Sequence, residues 1–400
     1  MQHDDGFHFN IVLKNMEEKI SLCALGKIFG FKPKTAHALI SHLGNARAAF
    51  SLDQDEKTYL LGPHSEYAAS LCMKELETTA KELAELEKRG IYYIGCTEEN
   101  YPQLLKECSD APIGLYVRSD TPAHKLWNHN KSIAVVGTRD ISSYGREWCE
   151  RTVKALAESA ERPLIVSGLA LGTDICAHAA ALEYGIPTIG VMATGPESIY
   201  PHRNEKIALR MAHTPGCALV PDYPPGTAPL AIHFLRRNRI IAGLSQAVIL
   251  IESKIKGGGM TTSRLAFSYD REVYALPGRA DDLRSQGCNL LIKRKIAEPL
   301  ISEEDLIDSL GLKASHRKDR ISDMEVLQSI YGNGLMKDKI DSMNLLIYTI
   351  RNNREITVEE LSDKTGIPYH TVVHLCSIME SDGLMSTDLL QRCSIRTKNF

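Results

Sequence analysis

The sequence lacks paired cysteines, a long apolar run and a secretion signal. None of its 10 cysteines stands in a Cys-x-x-Cys pair, so we predict no metal site and expect thiols that stay reduced. No apolar run approaches the ~18 residues that a membrane span needs. The first residues, MQHDDGFHFN, have neither the basic start nor the apolar core of a signal peptide. These absences predict a cytoplasmic protein.

The common catalytic motifs are also missing. The sequence has no HExxH, no Gly-x-Ser-x-Gly, no Asp-rich metal loop and no Walker A pattern, which argues against hydrolysis of ATP. Of the 14 histidines, His178, His202 and His233 lie near the motifs described below, and each is interpreted as structural or solvent-facing because no partner for proton transfer is apparent. We therefore predict no enzyme activity, no catalytic residues and no cofactor.

The chain is slightly acidic overall but basic in its middle. Its formal net charge is −3 at pH 7. Residues 131–300 carry 21 Lys and Arg against 16 Asp and Glu, whereas the rest of the chain carries 26 against 34. This asymmetry suits a partner that carries phosphates, although a basic block of this size is also compatible with a solvated surface.

The length of 400 residues allows about two to four domains. We predict, in chain order, a helical domain, a helix with a connecting segment, an α/β domain, a linker and a winged-helix-like domain, at residues 1–65, 66–130, 131–310, 311–322 and 323–400.

The N-terminal region is predicted to consist of short helices that are interrupted at Gly26, Gly30 and Pro33. This pattern resembles a SAM-like or helix-hairpin-helix unit, whose glycine turn can approach a phosphate, but a plain helical turn explains it equally well. Residues 66–89 predict one amphipathic helix, followed by a strand at 91–94.

The central block alternates apolar runs with helical segments. The runs are typical of buried parallel strands, so the fold class is α/β, a Rossmann-like and mostly parallel sheet with helices on both faces. The predicted strands are 133–137, 164–168, 186–192, 247–253 and 272–278, with helices such as 147–160 and 174–184 between them.

Two of the predicted strands end in glycine-containing loops that lead into helices. The first loop begins at Gly137 and includes Arg139 and Ser142, and the second contains Gly168 and Gly172. Such loops bring backbone amides and a helix N-terminus close to an anion, and Arg139 adds a forked donor for phosphate. A tight turn with a surface arginine is the alternative for the first loop. In the second, Asp174 is interpreted as a helix N-cap.

A third segment, Phe234-Leu235-Arg236-Arg237-Asn238-Arg239, places three arginines within four positions before an apolar run. If these arginines form the first turn of a helix, the helix dipole disfavours them, and an external phosphate or an internal carboxylate must compensate. We expect internal pairs for one or two of them and a phosphate for at least one. Phe234 is predicted either to stack on a base or to pack in the core.

The fourth segment follows the strand at 247–253 and contains Lys254, Lys256 and the glycines Gly257, Gly258 and Gly259, ahead of a helical pattern from Ser263. Glycines, lysines and threonines at the start of a helix favour phosphate binding. Because parallel strands end at one edge of a sheet, we expect all four segments to meet there.

Taken in order, these motifs resemble the DNA-processing protein A family (DprA, also called Smf). The resemblance covers about 160 residues and rests on the segments GTRDISSYG, VSGLALGTD, IYPHRN, DYPPGT, FLRRNRIIAGLS, ESKIKGGGMTT, VYALPG and GCNLLI. It implies a cytoplasmic protein of natural transformation that binds incoming single-stranded DNA, forms a homodimer and loads the recombinase RecA.

The resemblance further implies which residues form the DNA site. Those lining it would be Arg139, Phe234, Arg237, Asn238, Arg239 and Lys256, and those shaping its loops would be Gly137, Ser142, Gly168 and Gly258. Four features depart from the usual family pattern without removing a basic residue: Thr173, His233, Leu235 and the loop 257–259.

Two other functions compete with strand binding. A nucleotide phosphoribohydrolase on a related fold would carry a catalytic Glu after its glycine-rich loop, and KGGGMTTS has none. A transcription regulator would read duplex DNA through the C-terminal domain, where 343–353, 356–366 and 368–385 predict three helices before a possible wing. Residues 311–400 carry 12 basic and 12 acidic residues, which favours a protein-contact or regulatory role over groove reading.

Overall fold

The computed structural model describes residues 4–127, 129–313, 323–332, 336–353, 356–388 and 390–395. The chain divides into two compact units, Met1–Ser315 and His316–Phe400, which are treated separately. The predicted linker lies outside the described residues from position 314 onwards. Within the described ranges, no helix is long and apolar enough to cross a membrane, and no group of His, Cys, Asp and Glu could hold a metal ion.

One nine-stranded sheet organises the described part of the first unit. Its spatial order is β1-β2-β6-β5-β4-β3-β7-β8-β9. Strands β3 to β9 run parallel, whereas β1 and β2 form an antiparallel pair that joins β6 at one edge. The strands are β1 (Ile91–Gly95), β2 (Gly114–Arg118), β3 (Ser132–Val136), β4 (Leu164–Gly168), β5 (Thr188–Met192), β6 (Ala218–Pro221), β7 (Ala247–Leu250), β8 (Glu272–Ala275) and β9 (Glu298–Pro299).

Helices cover both faces of this sheet, which confirms the predicted fold class. Along β3, Ile133 and Val135 belong to one buried cluster, and Ala134 and Val136 belong to the other, because successive side chains of a strand point to opposite faces. The helices are α1 (Asp4–Phe29), α2 (Pro33–Leu43), α3 (Gln54–Leu61), α4 (Met73–Lys88), α5 (Gln103–Lys106), α6 (Ala123–Leu126), α7 (Ser143–Glu158), α8 (Thr173–Glu183), α9 (Glu205–Ala212), α10 (Ala231–Gly243), α11 (Gly258–Ser268), α12 (Gln286–Lys293) and α13 (Glu303–Ser309).

The N-terminal helices differ from the prediction in two respects. Helix α1 spans 26 residues and continues through Gly26, which was predicted to break it. A side chain at Gly26 would meet the Tyr93 hydroxyl at 3.3 Å, so this glycine permits close packing on β1 rather than a turn. The amphipathic helix α4 begins only at Met73, after a 3₁₀ turn at Ala68–Ser70. Its end agrees with the prediction, since Gly90 has a positive φ of 70°.

The order of the strands creates a crevice between β3 and β7. From β3 the chain proceeds through β4, β5 and β6 on one side and returns to add β7 on the other. Loops leaving the carboxyl ends of β3 and β7 therefore diverge to opposite faces, and ligands of open α/β sheets bind at such a point.

The described part of the second unit consists of four helices and a short antiparallel hairpin. They are α14 (Asp323–Tyr331), α15 (Lys337–Asn352), α16 (Val358–Thr365), α17 (Tyr369–Ser381), β10 (Met385–Thr387) and β11 (Cys393–Ile395). Gly366, at φ 69°, ends α16 where a turn was predicted, and the hairpin follows Gly383. Helix α14 was not predicted, and the winged-helix assignment of this unit stays a prediction.

Candidate nucleic-acid interface

A cavity of about 430 Å³ lies at the carboxyl edge of the sheet, where β3 adjoins β7. Its wall combines the end of β3, the loop after β4, helix α10 and the first turn of α11. The residues that line it are Val136, Gly137, Arg139, Ala170, Asp174, Tyr200, Pro229, Ala231, Phe234, Leu235, Arg237, Asn238, Ile241, Gly258, Gly259 and Thr262. All four predicted segments therefore meet in one cavity. The first, third and fourth contribute Arg139, Phe234 and Gly258, and the second, the loop after β4, contributes Ala170 and Asp174.

Close backbone packing holds the loops of the cavity together. A side chain on Gly137 would lie within 3.0 Å of the Glu252 carbonyl oxygen and would also collide with Thr173. A side chain on Gly259 would lie 3.2 Å from the Cα of Gly137. These two glycines therefore bring the β3 loop, α8 and α11 into contact. Gly258 differs, since a side chain there would meet nothing within 4 Å.

The first predicted phosphate site, the N-terminus of α7, is occupied by a carboxylate of the protein itself. Glu252, buried at the end of β7, accepts hydrogen bonds from the Ser142 amide at 2.9 Å and the Ser142 hydroxyl at 2.5 Å. The same hydroxyl caps α7 by accepting from the Gly145 amide at 3.0 Å. An internal anion thus satisfies this helix terminus. The Ser142 side chain therefore has internal partners and orders the loop that carries Arg139, and its contact with DNA stays a prediction.

The N-terminus of α11 is the helix end that opens into the cavity. Gly257 is its N-cap, and the helix begins at Gly258, five residues before the predicted start at Ser263. Amides of the first helical turn have no partner within the helix and attract anions. Asn238 and Thr262 each approach the Gly258 carbonyl oxygen at 3.4 Å, which fixes this turn against α10.

The mouth of the cavity is formed by two aromatic rings, those of Tyr200 and Phe234, and by the exposed cation of Arg139. Arg139 is exposed, and its guanidinium lies 5.3 Å from the centre of the Phe234 ring. Tyr200, 46% exposed, packs against Phe234 with ring centroids 5.6 Å apart. Phe234 is only partly buried, so its ring is not a core side chain. The mouth therefore offers a positive charge beside an apolar, aromatic surface.

The sequence analysis considered the arginines of α10 as the first turn of a helix, but they do not occupy that turn. The helix begins at Ala231, so they occupy its middle turns, and the argument from the helix dipole does not apply to them. Arg239 is buried and donates to both carboxylate oxygens of Asp222 at 3.0 and 3.2 Å and to the Asp110 carbonyl at 2.9 Å. Arg239 thus forms an internal ion pair, the alternative that the sequence left open, and its assignment to the DNA site stays a prediction.

Arg236 also turns away from the cavity. Its guanidinium donates to the carbonyl oxygen of Gly30 and lies 4.0 Å from the centre of the Phe31 ring. Burial lowers the pKa of this side chain, with the nearby charge of Arg239 acting in the same direction. Arg236 therefore attaches α10 to the turn between α1 and α2, and its contact with DNA stays a prediction.

Arg237 is the arginine of α10 that lines the cavity. It is 4% exposed, donates to the Val191 carbonyl oxygen and lies 6.0 Å from the Phe234 ring centre. Burial lowers its pKa, and the carboxylate of Asp174 opposes that shift. A side chain at Gly168 would collide with both Arg237 and Asp174, so this glycine makes room for the pair rather than for a phosphate.

The sequence predicted Asp174 as the N-cap of α8, but it does not hold that position. The N-cap is Gly172, at φ 79°, and Asp174 lies in the first turn with its carboxyl in the cavity wall. Burial raises the pKa of Asp174 to about 6, although Arg237 counteracts the shift. His178, one turn along α8, bonds to Thr188 at 2.8 Å and to the Gly168 carbonyl at 3.0 Å. Burial lowers the pKa of His178 to about 4, which fits the structural role expected for it.

The two lysines of the fourth segment stand outside the cavity. Lys254 and Lys256 are exposed in the turn between β7 and α11 and are absent from the cavity lining. The turn is closed by the Gly257 amide, which donates to the Lys254 carbonyl at 3.0 Å. Neither lysine therefore forms part of the cavity wall.

Sequence reasoning missed three residues that shape the site. Tyr200 lies in the segment IYPHRN, but an isolated tyrosine in a loop did not indicate that its ring would pack against Phe234. Asp174 was recognised only as a candidate cap, and Glu252 only as a strand-end residue. Their positions depend on contacts across 34 to 110 residues of chain, which no local pattern contains.

Comparison with known proteins gives a consistent set of relatives. The family described as DNA recombination-mediator protein A matches residues 92–311. The DNA processing protein DprA of Bacillus subtilis is 36% identical over 228 residues, which cover 57% of this chain and 74% of that protein. Protein Smf of Escherichia coli is 37% identical over 231 residues, 57% of this chain and 59% of that protein. The X-ray structure of DNA processing protein A from Streptococcus pneumoniae superposes with a TM-score of 0.56 at 29% identity, covering 72% of this chain and 97% of that one.

Proposed function

Because the chain belongs to the DNA recombination-mediator protein A family, we propose that it binds single-stranded DNA in the cavity between β3 and β7 without altering it chemically. The observation that carries the proposal is the mouth of the cavity, where the exposed Arg139 and the open first turn of α11 adjoin the rings of Phe234 and Tyr200. A single strand requires both a partner for its phosphates and a surface on which its unpaired bases can stack. A duplex hides its base faces and would leave the rings unused.

The proposal divides the predicted DNA residues into four groups. Arg139, Phe234 and Gly258 contact the strand, and Arg237 and Asn238 form the inner wall. The exposed Lys254 and Lys256 serve the strand as it leaves the cavity. The others hold the loops or the helix in place: Gly137, Ser142, Gly168, Gly172, Arg236, Arg239, Gly257 and Gly259.

A salt-dependent titration of labelled oligonucleotides tests the proposal. We expect a single strand to bind more tightly than a duplex of the same sequence, with an affinity that falls steeply as salt rises. Equal binding of both forms, or binding that does not respond to salt, contradicts it. Incubation with nucleoside monophosphates, followed by chromatography for released base, tests the competing hydrolase; we expect no turnover.

The biological role is proposed on the same basis. A cytoplasmic homodimer of this chain would hold incoming single strands during natural transformation and homologous recombination and load RecA onto them. Pull-down of purified RecA on strand-loaded protein, compared with strand-free protein, tests the partner, and light scattering tests the dimer. A monomer that neither retains RecA nor stimulates its filament formation refutes this part.

A further inference from the structure

One charge in the cavity does not suit a site for phosphates alone. Asp174 lines the cavity together with Arg237 and is 7% exposed. A carboxylate repels a phosphate, and in a buried site the repulsion is only weakly screened. A ligand group that carries N–H or O–H hydrogens can instead donate to this carboxylate.

Arg237 lies near this carboxylate. The Arg237 Nη1 and the Asp174 Oδ2 each lie 2.5 Å from the point that a Cβ on Gly168 would occupy, so the two groups flank that point without forming an ion pair. Among the described residues, the Arg237 Nε is a buried nitrogen without a hydrogen-bond partner. Buried polar groups of native proteins are nearly always paired, and this nitrogen belongs to a residue that lines the cavity. The wall thus presents a donor group and an acceptor group side by side.

A nucleobase edge is the part of a DNA strand that matches this pairing. Phosphate oxygens only accept hydrogen bonds, whereas every base edge combines donors and acceptors. Guanine carries two adjacent N–H donors, at N1 and N2, next to the acceptor O6. One carboxylate can accept both N–H groups while an arginine donates to O6, and proteins that hold an unpaired base read this edge.

We propose that the inner wall reads the edge of one unpaired base and prefers guanine, with Asp174 accepting from N1–H and N2–H and Arg237 donating to O6. The inference rests on the proposed function and deepens it: the mouth binds phosphate and stacks the base on Phe234, and the inner wall selects it. The site then binds any strand and binds guanine-containing strands more tightly.

Oligonucleotides that differ in a single functional group test this preference. The probes are a thymidine 15-mer, the same strand with guanine at every third position, the same strand with inosine in place of guanine, and an abasic strand of equal length. Lithium salts keep guanine from forming quadruplexes. We expect the guanine strand to bind about tenfold more tightly than the thymidine strand, in the range for one bidentate base contact. Inosine, which lacks the N2 amino group, should lose most of that gain.

Two carboxylate variants separate base reading from structure. Asp174→Asn should abolish the guanine preference, so that the guanine and thymidine strands bind with equal affinity. Asp222→Asn is the matched control, since Asp222 is also a carboxylate paired with an arginine of α10 but lies outside the cavity lining. It should keep the guanine preference. If Asp174→Asn does not fold, the guanine and inosine strands still decide the matter on the unaltered protein.

Three results can be told apart. Equal affinity of the unaltered protein for guanine, inosine and thymidine strands overturns base reading while strand binding stands. Loss of the guanine preference in Asp222→Asn as well as in Asp174→Asn overturns the assignment to Asp174. Failure to bind any strand, the thymidine strand included, overturns the proposed function and this inference with it.

Discussion

Arg139 is the side chain whose removal should most selectively weaken DNA binding. It is exposed at the mouth of the cavity, it lies 5.3 Å from the Phe234 ring centre, and it follows a strand whose loop is held by Glu252. Truncation to Ala leaves that loop intact, because none of the loop's hydrogen bonds uses the Arg139 side chain. A hydrogen bond to a charged group contributes about 1.5–3 kcal/mol, and the exposure of Arg139 places it at the lower end. We expect about a tenfold loss of affinity at low salt, which corresponds to about 1.4 kcal/mol.

The salt dependence of binding gives a second and more specific measure. Loss of one phosphate contact on a single strand should reduce the slope of log K against log salt by about 0.7. Arg139→Lys keeps the charge and should keep the slope. Arg264→Ala is the matched control, because Arg264 is exposed on α11 outside the cavity lining. The assignment fails if Arg139→Ala binds as well as Arg264→Ala in an anisotropy titration at 50 mM salt, or if both lower the slope equally.

Three further predictions concern stability and the shape of the cavity. Arg239→Ala leaves Asp222 buried without its cation and should cost about 3–5 kcal/mol of unfolding free energy in urea denaturation; a change below 1 kcal/mol contradicts the buried pair. The pKa of Asp174 is raised from 3.8 to about 6, so ionisation of this side chain lowers the free energy of unfolding by roughly 3 kcal/mol as the pH rises between these values. In urea denaturation the midpoint of the parent should fall over this pH range, and the midpoint of Asp174→Asn should lack that fall. Gly137→Ala adds a Cβ within 3.0 Å of the Glu252 carbonyl and should lower both stability, by about 1–3 kcal/mol, and strand affinity; a variant that melts and binds like the parent refutes the close packing of these loops.

The strands of the parallel core could be predicted from the sequence because they are buried on both faces. Runs such as Ile133–Val136 and Val248–Leu250 are apolar at every position, which only a sheet covered on both sides requires. Strands β2, β6 and β9 were not predicted: β2 begins at Gly114, β6 ends at Pro221, and β9 has two residues. Their strand character comes from pairing with neighbours, and short runs carry little periodicity.

The candidate site was predicted in outline but not in its charges. Glycine-rich loops at strand ends predicted the edge of the sheet at which the cavity lies, because that consequence follows from parallel topology alone. The sequence has three arginines within four positions, Arg236, Arg237 and Arg239, and does not show which of them faces the cavity. On a helix, side chains one residue apart point about 100° apart, so Arg236, Arg237 and Arg239 reach three different partners: Gly30, the cavity and Asp222.

Photochemical cross-linking gives the most direct test that the cavity between β3 and β7 holds the strand. A 5-iodouracil-substituted single strand is irradiated with the full chain, and the attached peptides are identified by mass spectrometry. We expect cross-links at Tyr200 and Phe234, which unlabelled single strand competes away and duplex does not. Cross-links confined to the unit His316–Phe400, or to the face of the sheet covered by α7 and α13, would contradict the account.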